Sequence, residues 1–241
     1  MSAATGTTPD AVVAASAPDL RSRLATYLVT DTAQCGDRGV VDVVTAALAG
    51  GVTTVQVRDK TASGRDLLAL TRAVAHAAAG RATVLVDDRV DVFLAARATG
   101  APVHGVHVGQ RDLPADVVRQ LVGATNPDGS RAVVGLSAST LDEVSAVHDL
   151  PAGTVDYLGV GAVRPTATKP DHPAPLGVDG FAAVARATSL PCVAIGGIAV
   201  DLVGPLRRAG AAGAAVVSAV CAAPDPAAAA AALAAAWEGA R

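Results

Sequence analysis

The sequence predicts an α/β fold, namely a single-domain, closed (β/α)8 barrel (a TIM barrel) preceded by a disordered N-terminal tail. Eight short apolar runs rich in β-branched residues recur along the chain, and segments of helical composition separate them. Strands that are apolar throughout are typical of a parallel sheet covered by helices. The length of 241 residues is close to the roughly 250 typical of one such barrel.

The alternative is an open, doubly wound sheet. Eight strand–helix units in one domain favour closure into a barrel. In addition, the Gly-x-Gly-x-x-Gly turn that usually follows the first strand of a doubly wound dinucleotide fold is absent here. The barrel is therefore the better prediction.

The boundaries follow from the pattern of apolar residues. The predicted strands cover residues 26–30, 53–57, 83–86, 105–108, 132–136, 155–160, 192–195 and 214–217. The predicted helices include residues 40–49, 64–79, 116–122, 141–149, 179–188, 200–209 and an alanine-rich final helix at 227–236. Glycines stand where helices should end, at positions 50, 51, 80, 100, 123 and 210. Asp116 and Asp179 lie where carboxylates can cap helix starts.

Composition excludes several classes of protein. Hydrophobic residues make up 51% of the chain but aromatic residues only 2%, so the core must consist of Ala, Val and Leu. The net charge of −3 does not indicate the excess of positive charge that is typical of nucleic-acid-binding proteins. No apolar run is long enough for a membrane span. We therefore expect small-molecule partners, without nucleic acid or membrane, and leave a homo-oligomer open.

The first residues and the cysteines indicate the compartment. Residues 1–22 lack the basic start and the apolar stretch of a secretory signal, so we predict a flexible tail at 1–22 and the barrel domain at 23–241. Cys35, Cys192 and Cys221 have no paired spacing. An odd number of cysteines without a signal predicts free thiols in a cytoplasmic protein.

Polar residues cluster where the predicted strands end, which is where the active site of such a barrel lies. Gln56, Arg58 and Lys60 alternate along the second strand and its end, so the three side chains can share one face. Two cations and an amide in the barrel mouth would suit a polyanionic substrate. The alternative for these residues is an ordinary charged loop.

Carboxylates follow the next two strands. Asp87 and Asp88 end the third strand, and Asp112 follows the fourth. Carboxylates at neighbouring strand ends can share a hard cation such as Mg²⁺, bound mostly through water and substrate phosphates. Taken alone, however, Asp87 or Asp88 is better explained as a helix cap.

The remaining strand ends carry hydroxyls and glycines. Ser137 ends the fifth strand, and the loop after the sixth carries Thr166, Thr168 and Lys169. Gly196-Gly197 and Val217-Ser218 follow the seventh and eighth strands, whose loops commonly bind phosphate through backbone amides. Two anion-binding regions are therefore predicted on opposite sides of one mouth. The histidines, His107 among them, are interpreted as buried or surface residues, and no nucleophile is identified.

Six motifs in order resemble thiamine phosphate synthase, over about residues 25–238. They are Gln56-Val-Arg58-Asp-Lys60, Val86-Asp-Asp88-Arg-Val-Asp91, Gly105-Val-His-Val-Gly-Gln110-Arg-Asp112, Gly135-Leu-Ser137, Gly159-Val-Gly-Ala-Val-Arg-Pro-Thr166-Ala-Thr168-Lys169 and Ala194-Ile-Gly-Gly197-Ile198. The resemblance implies a transferase that joins 4-amino-2-methyl-5-(diphosphooxymethyl)pyrimidine to 4-methyl-5-(2-phosphooxyethyl)thiazole. The products are thiamine phosphate and pyrophosphate.

The resemblance also implies a role for each region. The pyrimidine diphosphate region is Gln56, Arg58, Lys60, Asp87, Ser137 and Lys169; the thiazole phosphate region is Thr166, Thr168, Gly197, Val217 and Ser218. Asp88 and Asp112 are the implied ligands of Mg²⁺. The implied chemistry is dissociative: pyrophosphate leaves first and the thiazole nitrogen then attacks, so that no protein nucleophile is needed.

One position departs from the family, which usually has Asn where this chain has Asp87. A carboxylate cannot donate a hydrogen bond to phosphate, so Asp87 either joins the metal shell or stays away from the diphosphate. Two alternatives remain on the same barrel: a thiazole tautomerase, and a regulatory protein that binds thiazole phosphate without turnover. Neither needs the cations Arg58 and Lys60.

Overall fold

The computed structural model of the chain describes residues 19–166 and 174–240. Eight parallel strands form a closed barrel in which each strand pairs with the next in sequence and the eighth pairs with the first. The strands are β1 Thr26–Val29, β2 Thr54–Val57, β3 Thr83–Asp87, β4 Gly105–Val108, β5 Val133–Ser137, β6 Tyr157–Val160, β7 Cys192–Ile195 and β8 Gly213–Val216. The predicted barrel and its eight strands are thus confirmed, each boundary to within two residues.

Helices connect the strands and cover the outside of the barrel. They are α1 Leu20–Arg23, α2 Thr32–Cys35, α3 Val40–Ala49, α4 Gly64–Ala78, α5 Val90–Ala98, α6 Ala115–Val122, α7 Leu141–His148, α8 Gly177–Arg186, α9 Val200–Arg208, α10 Ser218–Cys221 and α11 Pro226–Gly239, with a 3-10 turn at Gly36–Arg38. All of the predicted helices are present. Helix α5 and the short helices α1, α2 and α10 are present in addition to the predicted ones. Helix α1 begins inside the segment 1–22 that was assigned to the tail.

Alternation along the strands divides the buried residues into two groups. Every second side chain points outward and packs against the helices; Leu28, Val55 and Val86 are examples. The others point into the barrel, where Tyr27, Leu85, Val133, Tyr157 and Val193 form a separate cluster. The inside of the barrel is therefore a packed core, and polar groups lie at the end of the barrel where the strands have their carboxyl ends.

The helix ends agree with the glycine pattern but not with the predicted caps. Gly80, Gly100 and Gly123 follow helices with positive φ, the conformation that favours glycine. Asp116 and Asp179 lie in the first turns of α6 and α8, yet neither accepts a capping hydrogen bond from its helix start. Those two predicted caps are wrong. A negative charge in the first turn still interacts favourably with the helix dipole.

The described helices include none that is both long enough and apolar enough to cross a membrane. The three cysteines are buried free thiols, as the sequence predicts.

Candidate active site

A cavity of about 760 Å³ opens at the carboxyl ends of the strands. It brings together the predicted site residues that fall within the described chain: Gln56, Arg58, Lys60, Asp87, Asp88, Asp112, Ser137, Thr166, Gly197, Val217 and Ser218. Thr168 and Lys169 lie outside the described residues. One pocket therefore contains the described members of both predicted regions.

The cationic wall of the cavity is paired with carboxylates. Nε of Arg58 lies 3.6 Å from the Asp87 carboxylate, and Nη1 lies 3.4 Å from Asp31. Nζ of Lys60 lies 3.3 Å from Asp87 and also contacts Asp88. Burial disfavours the charge on Lys60, but the carboxylates of Asp87 and Asp88 outweigh it and raise the pKa of this ammonium. The ammonium of Lys60 is thus held charged in the mouth.

Contacts at the ends of the strands hold Arg58 in place. The Arg58 N–H donates to Oγ1 of Thr30, at 2.9 Å, and so ties the end of β2 to the end of β1. Asp31 in turn caps α2 by accepting from the Gln34 N–H. The side chain of Arg58 is 17% exposed and that of Lys60 51%. Arg58 is therefore the more deeply buried of the two cations, and Lys60 is the more accessible to a ligand.

Neither Asp87 nor Asp88 caps a helix. The residue at the start of α5 is Arg89, and no side chain caps this helix. The cap interpretation is therefore wrong for both carboxylates. The Asp88 N–H donates to the carbonyl oxygen of His107 at 2.8 Å, and Asp88 has φ of +56°, which Asp tolerates better than most residues. This conformation directs Asp88 towards Lys60 in the mouth.

Asp112 lies beside Asp88 at the mouth. Its carboxylate accepts from the Gly109 N–H at 2.9 Å. Burial, together with the charge of Asp88 and a hydrogen bond to it, raises the pKa of Asp112. Two carboxylates held this close repel each other unless a proton or a cation lies between them. The pair has the hard oxygen donors that Mg²⁺ requires, provided that water and substrate complete its ligands.

Side-chain ligands alone do not form a complete metal site. Across residues 19–166 and 174–240, no group of three or more His, Cys, Asp or Glu side chains is arranged to hold a metal ion. The carboxylate pair therefore fits an ion that is bound together with a phosphate substrate better than it fits a resident structural ion.

The opposite wall of the cavity consists mainly of backbone. Gly196 and Gly197 follow β7 with φ of +92° and +66°. A Cβ on Gly197 would lie 2.6 Å from Cβ of Arg164, so a side chain here would push the β6 loop away. Val217 and Ser218 lie where β8 passes into α10. Glycine backbone beside a serine hydroxyl is a surface that a phosphate group can approach closely.

The floor of the cavity is a chain of hydrogen bonds that the sequence analysis missed. Gln56 Nε2 donates to the Tyr27 hydroxyl at 2.9 Å, and the hydroxyls of Tyr27 and Tyr157 lie 2.8 Å apart. His107 Nδ1 lies 2.8 Å from the Tyr157 hydroxyl, and its Nε2 lies 3.1 Å from Oγ of Ser137. His107 lines the cavity and links the predicted site residue Ser137 to Tyr157. The interpretation of His107 as a histidine with satisfied hydrogen bonds holds, since both ring nitrogens have partners, but its position in the cavity was not predicted.

A signal for this floor exists in the sequence. His107 stands two residues after Gly105 in β4, and Tyr27 stands in β1, both at inward positions of strands that were correctly predicted. The chain contains only two tyrosines, and both lie in the barrel interior. Applying the alternation rule to every strand, as was done for β2, identifies them.

Comparison with known proteins agrees with this geometry. A family model described as thiamine monophosphate synthase matches residues 26–220. The thiamine-phosphate synthase of Corynebacterium efficiens is 46% identical over 83% of this chain and 87% of that protein. The one from Psychrobacter sp. is 41% identical over 83% and 89%.

The fold is also similar to those of solved structures. The thiamine phosphate pyrophosphorylase from Pyrococcus furiosus superposes with a TM-score of 0.77 at 31% identity, covering 92% of this chain and 99% of that one. A 3-hexulose-6-phosphate synthase superposes with a TM-score of 0.60 at 19% identity, a likeness of fold alone.

Proposed function

The chain belongs to the thiamine monophosphate synthase family, and we propose from this premise how its cavity carries out the synthase reaction. The activity is that of a transferase that forms thiamine phosphate. The observation that carries the assignment of roles is the pairing, within one cavity, of a cationic wall with a glycine-rich wall. One wall suits a diphosphate and the other a monophosphate.

The cationic wall would bind 4-amino-2-methyl-5-(diphosphooxymethyl)pyrimidine. Arg58 presents a planar guanidinium and Lys60 an exposed ammonium, which together suit the oxygens of a diphosphate. Gln56 and Ser137 lie at the floor between this wall and the barrel interior, where they can meet the pyrimidine ring. Lys169, outside the described residues, is proposed as a further cation for the same substrate.

The glycine-rich wall would bind 4-methyl-5-(2-phosphooxyethyl)thiazole. Its proposed contacts are the backbone of Gly197 and Val217 together with the hydroxyls of Ser218 and Thr166. The same role is proposed for Thr168, which is outside the described residues. This division would place the two substrates side by side, and the barrel mouth would then align the thiazole nitrogen with the pyrimidine methylene carbon.

Asp88 and Asp112 would hold Mg²⁺ together with the diphosphate. When bound, the ion neutralises negative charge on the departing pyrophosphate. The fit rests on the hard oxygen donors and on the raised pKa of Asp112, which reflects burial and the nearby Asp88 carboxylate. Magnesium dependence is part of the proposal.

We expect the carbon–oxygen bond to the diphosphate to break before the thiazole nitrogen attacks. In such a substitution the protein forms no covalent bond to substrate. Its residues stabilise the charge that develops on the leaving group and hold the two substrates in the orientation in which they react. Arg58 is preorganised for this work, because Thr30 and Asp31 already hold it.

The two alternative functions are less well supported. A thiazole tautomerase or a thiazole phosphate sensor would use the glycine-rich wall alone. Neither gives a reason for the cations Arg58 and Lys60 to face Asp87 and Asp88 across the same mouth. The synthase activity would use Arg58 and Lys60 for the diphosphate and Asp88 for the metal ion.

Pyrophosphate release by the purified protein tests the proposal. With both substrates and Mg²⁺ we expect pyrophosphate and thiamine phosphate in equal amounts, and none without the thiazole phosphate or after chelation of the metal. Release that continues with a chelator present would contradict the magnesium assignment. Binding of the thiazole phosphate without any release would favour the tautomerase or the sensor.

The partners are small molecules. We further propose that the protein works in the cytoplasm, where its three free thiols stay reduced. A homo-oligomer, and the absence of nucleic-acid and membrane partners, remain expectations from composition.

A further inference from the structure

The hydrogen-bond chain on the cavity floor has a defined direction. In the described chain, Tyr27 has two hydrogen-bond partners, the Gln56 amide nitrogen and the Tyr157 hydroxyl. An amide N–H only donates, so the one hydrogen of Tyr27 must go to Tyr157. Tyr157 then donates to Nδ1 of His107, 2.8 Å away.

The direction fixes the tautomer of His107. When Nδ1 accepts, the proton of the neutral imidazole lies on Nε2, which donates to Oγ of Ser137 at 3.1 Å. Ser137 has one hydrogen of its own, and that hydrogen is now available to the cavity. In the reversed chain, Ser137 would donate to His107 and turn only lone pairs towards an anionic substrate.

The barrel is built around this chain. Tyr27 and Tyr157 are 2% and 1% exposed, and burial raises the pKa of both hydroxyls, so both keep their hydrogens. Gly135 pairs with His107 on one side and with Tyr157 on the other. A Cβ on Gly135 would lie 2.3 Å from Cζ of Tyr157 and 2.5 Å from Nδ1 of His107. The missing side chain makes room for the two rings to meet.

We propose that Tyr27 and Tyr157 are positioning residues. Through these two hydroxyls, the orientation of the Gln56 amide determines which nitrogen of His107 carries the imidazole proton. With that proton on Nε2, the Ser137 hydroxyl becomes a hydrogen-bond donor to the pyrimidine diphosphate. The identity of that substrate rests on the proposed function, whereas the direction of the chain does not.

Nitrogen-15 NMR of the histidine side chains in the ligand-free protein tests the direction. The spectrum is recorded at about pH 8.5, two units above the ordinary histidine pKa of about 6.5, and His107→Asn identifies the signals. We expect the Nε2–H tautomer in the unmodified protein. In Gln56→Glu the ionised carboxylate can only accept, so at a pH where it is ionised the whole chain reverses and His107 becomes the Nδ1–H tautomer.

Tyr157→Phe removes the link and is nearly isosteric. In this background, Gln56→Glu should no longer change the His107 tautomer. An Nδ1–H tautomer in the unmodified protein would overturn the direction. A His107 that ignores Gln56→Glu while Tyr157 is intact would overturn the coupling.

Kinetics test the positioning role separately. Losing one hydrogen bond of a network predicts about a tenfold lower kcat in Tyr157→Phe, with the KM for the thiazole phosphate unchanged. An unchanged kcat would overturn the positioning role. If the protein released no pyrophosphate at all, the synthase proposal would fail while the NMR result stood.

Discussion

The carboxylate of Asp87 lies 3.3 Å from the ammonium of Lys60, and it is buried more deeply than the cation that it neutralises. The same carboxylate contacts Arg58 at 3.6 Å. A diphosphate that binds to Arg58 and Lys60 would therefore compete with this carboxylate for both cations. We expect Asp87 to act as a counter-ion that the substrate must displace.

Asp87→Asn should strengthen substrate binding. Removing the competing charge frees Arg58 and Lys60, and we expect the KM for the pyrimidine diphosphate to fall about threefold to fivefold. Steady-state kinetics with varied diphosphate measure this. Asp91→Asn is the matched control, because Asp91 pairs with Arg89 outside the cavity. A higher KM in Asp87→Asn would indicate instead that Asp87 helps to bind the metal.

Arg58→Ala should slow turnover on the order of 10²-fold or more, the typical effect of removing a preorganised donor from a developing anion. Lys60→Ala should act in the same direction, since Lys60 faces the same region. Arg81→Ala, which removes a cation at the end of α4, serves as the control. Single-turnover pyrophosphate release gives the rate. A loss of only twofold or threefold would count against the role of Arg58.

Asp156→Ala should destabilise the barrel by about 3 kcal/mol, because it leaves the largely buried Arg119 without its counter-charge and the Val134 N–H without its acceptor. The Asp156 side chain is 5% exposed, contacts Arg119 and Arg131, and accepts from the Val134 N–H. Urea unfolding followed by circular dichroism measures the loss. Asp201→Ala, which breaks the exposed pair with Arg164, should change little. Equal effects of the two substitutions would contradict the buried network.

Asp59 should make stability depend on pH. Partial burial disfavours its charge, but hydrogen bonds from Thr32, Thr61 and Ala62 outweigh this effect and lower the pKa of Asp59 to about 2. Since this folded pKa lies below the unfolded value of about 3.9, the stabilisation is complete above pH 4 or so. It is lost as the pH falls through about 2. The charge is screened by solvent, so we expect about 1 kcal/mol.

Comparison with Asp59→Asn isolates this effect. The difference in unfolding free energy between the two proteins should be largest near pH 7 and shrink as the pH falls from 4 towards 2. Thr61→Ala, which removes one of the donors, should reproduce part of the effect. A difference that is the same at pH 7 and pH 3 would rule out the charge of Asp59 as its source.

The sequence by itself determined the barrel and most of its mouth. The spacing of apolar residues and the positions of glycines are local features of the sequence. The eight strands could therefore be located without knowing what they contact. Alternation along β2 put Gln56, Arg58 and Lys60 on one face for the same reason. The order of these residues along the chain was enough to predict two anion-binding regions.

Only the tertiary structure decided which partners those residues meet. Tyr27 and Tyr157 are separated by 130 positions in the chain and touch because the barrel closes with one particular register. His107 reaches Tyr157 because Gly135 lies between them without a side chain. Asp87 turns to Arg58 and Lys60 rather than to the start of α5. Such contacts depend on the register of neighbouring strands and on the volume of distant side chains, which no local pattern encodes.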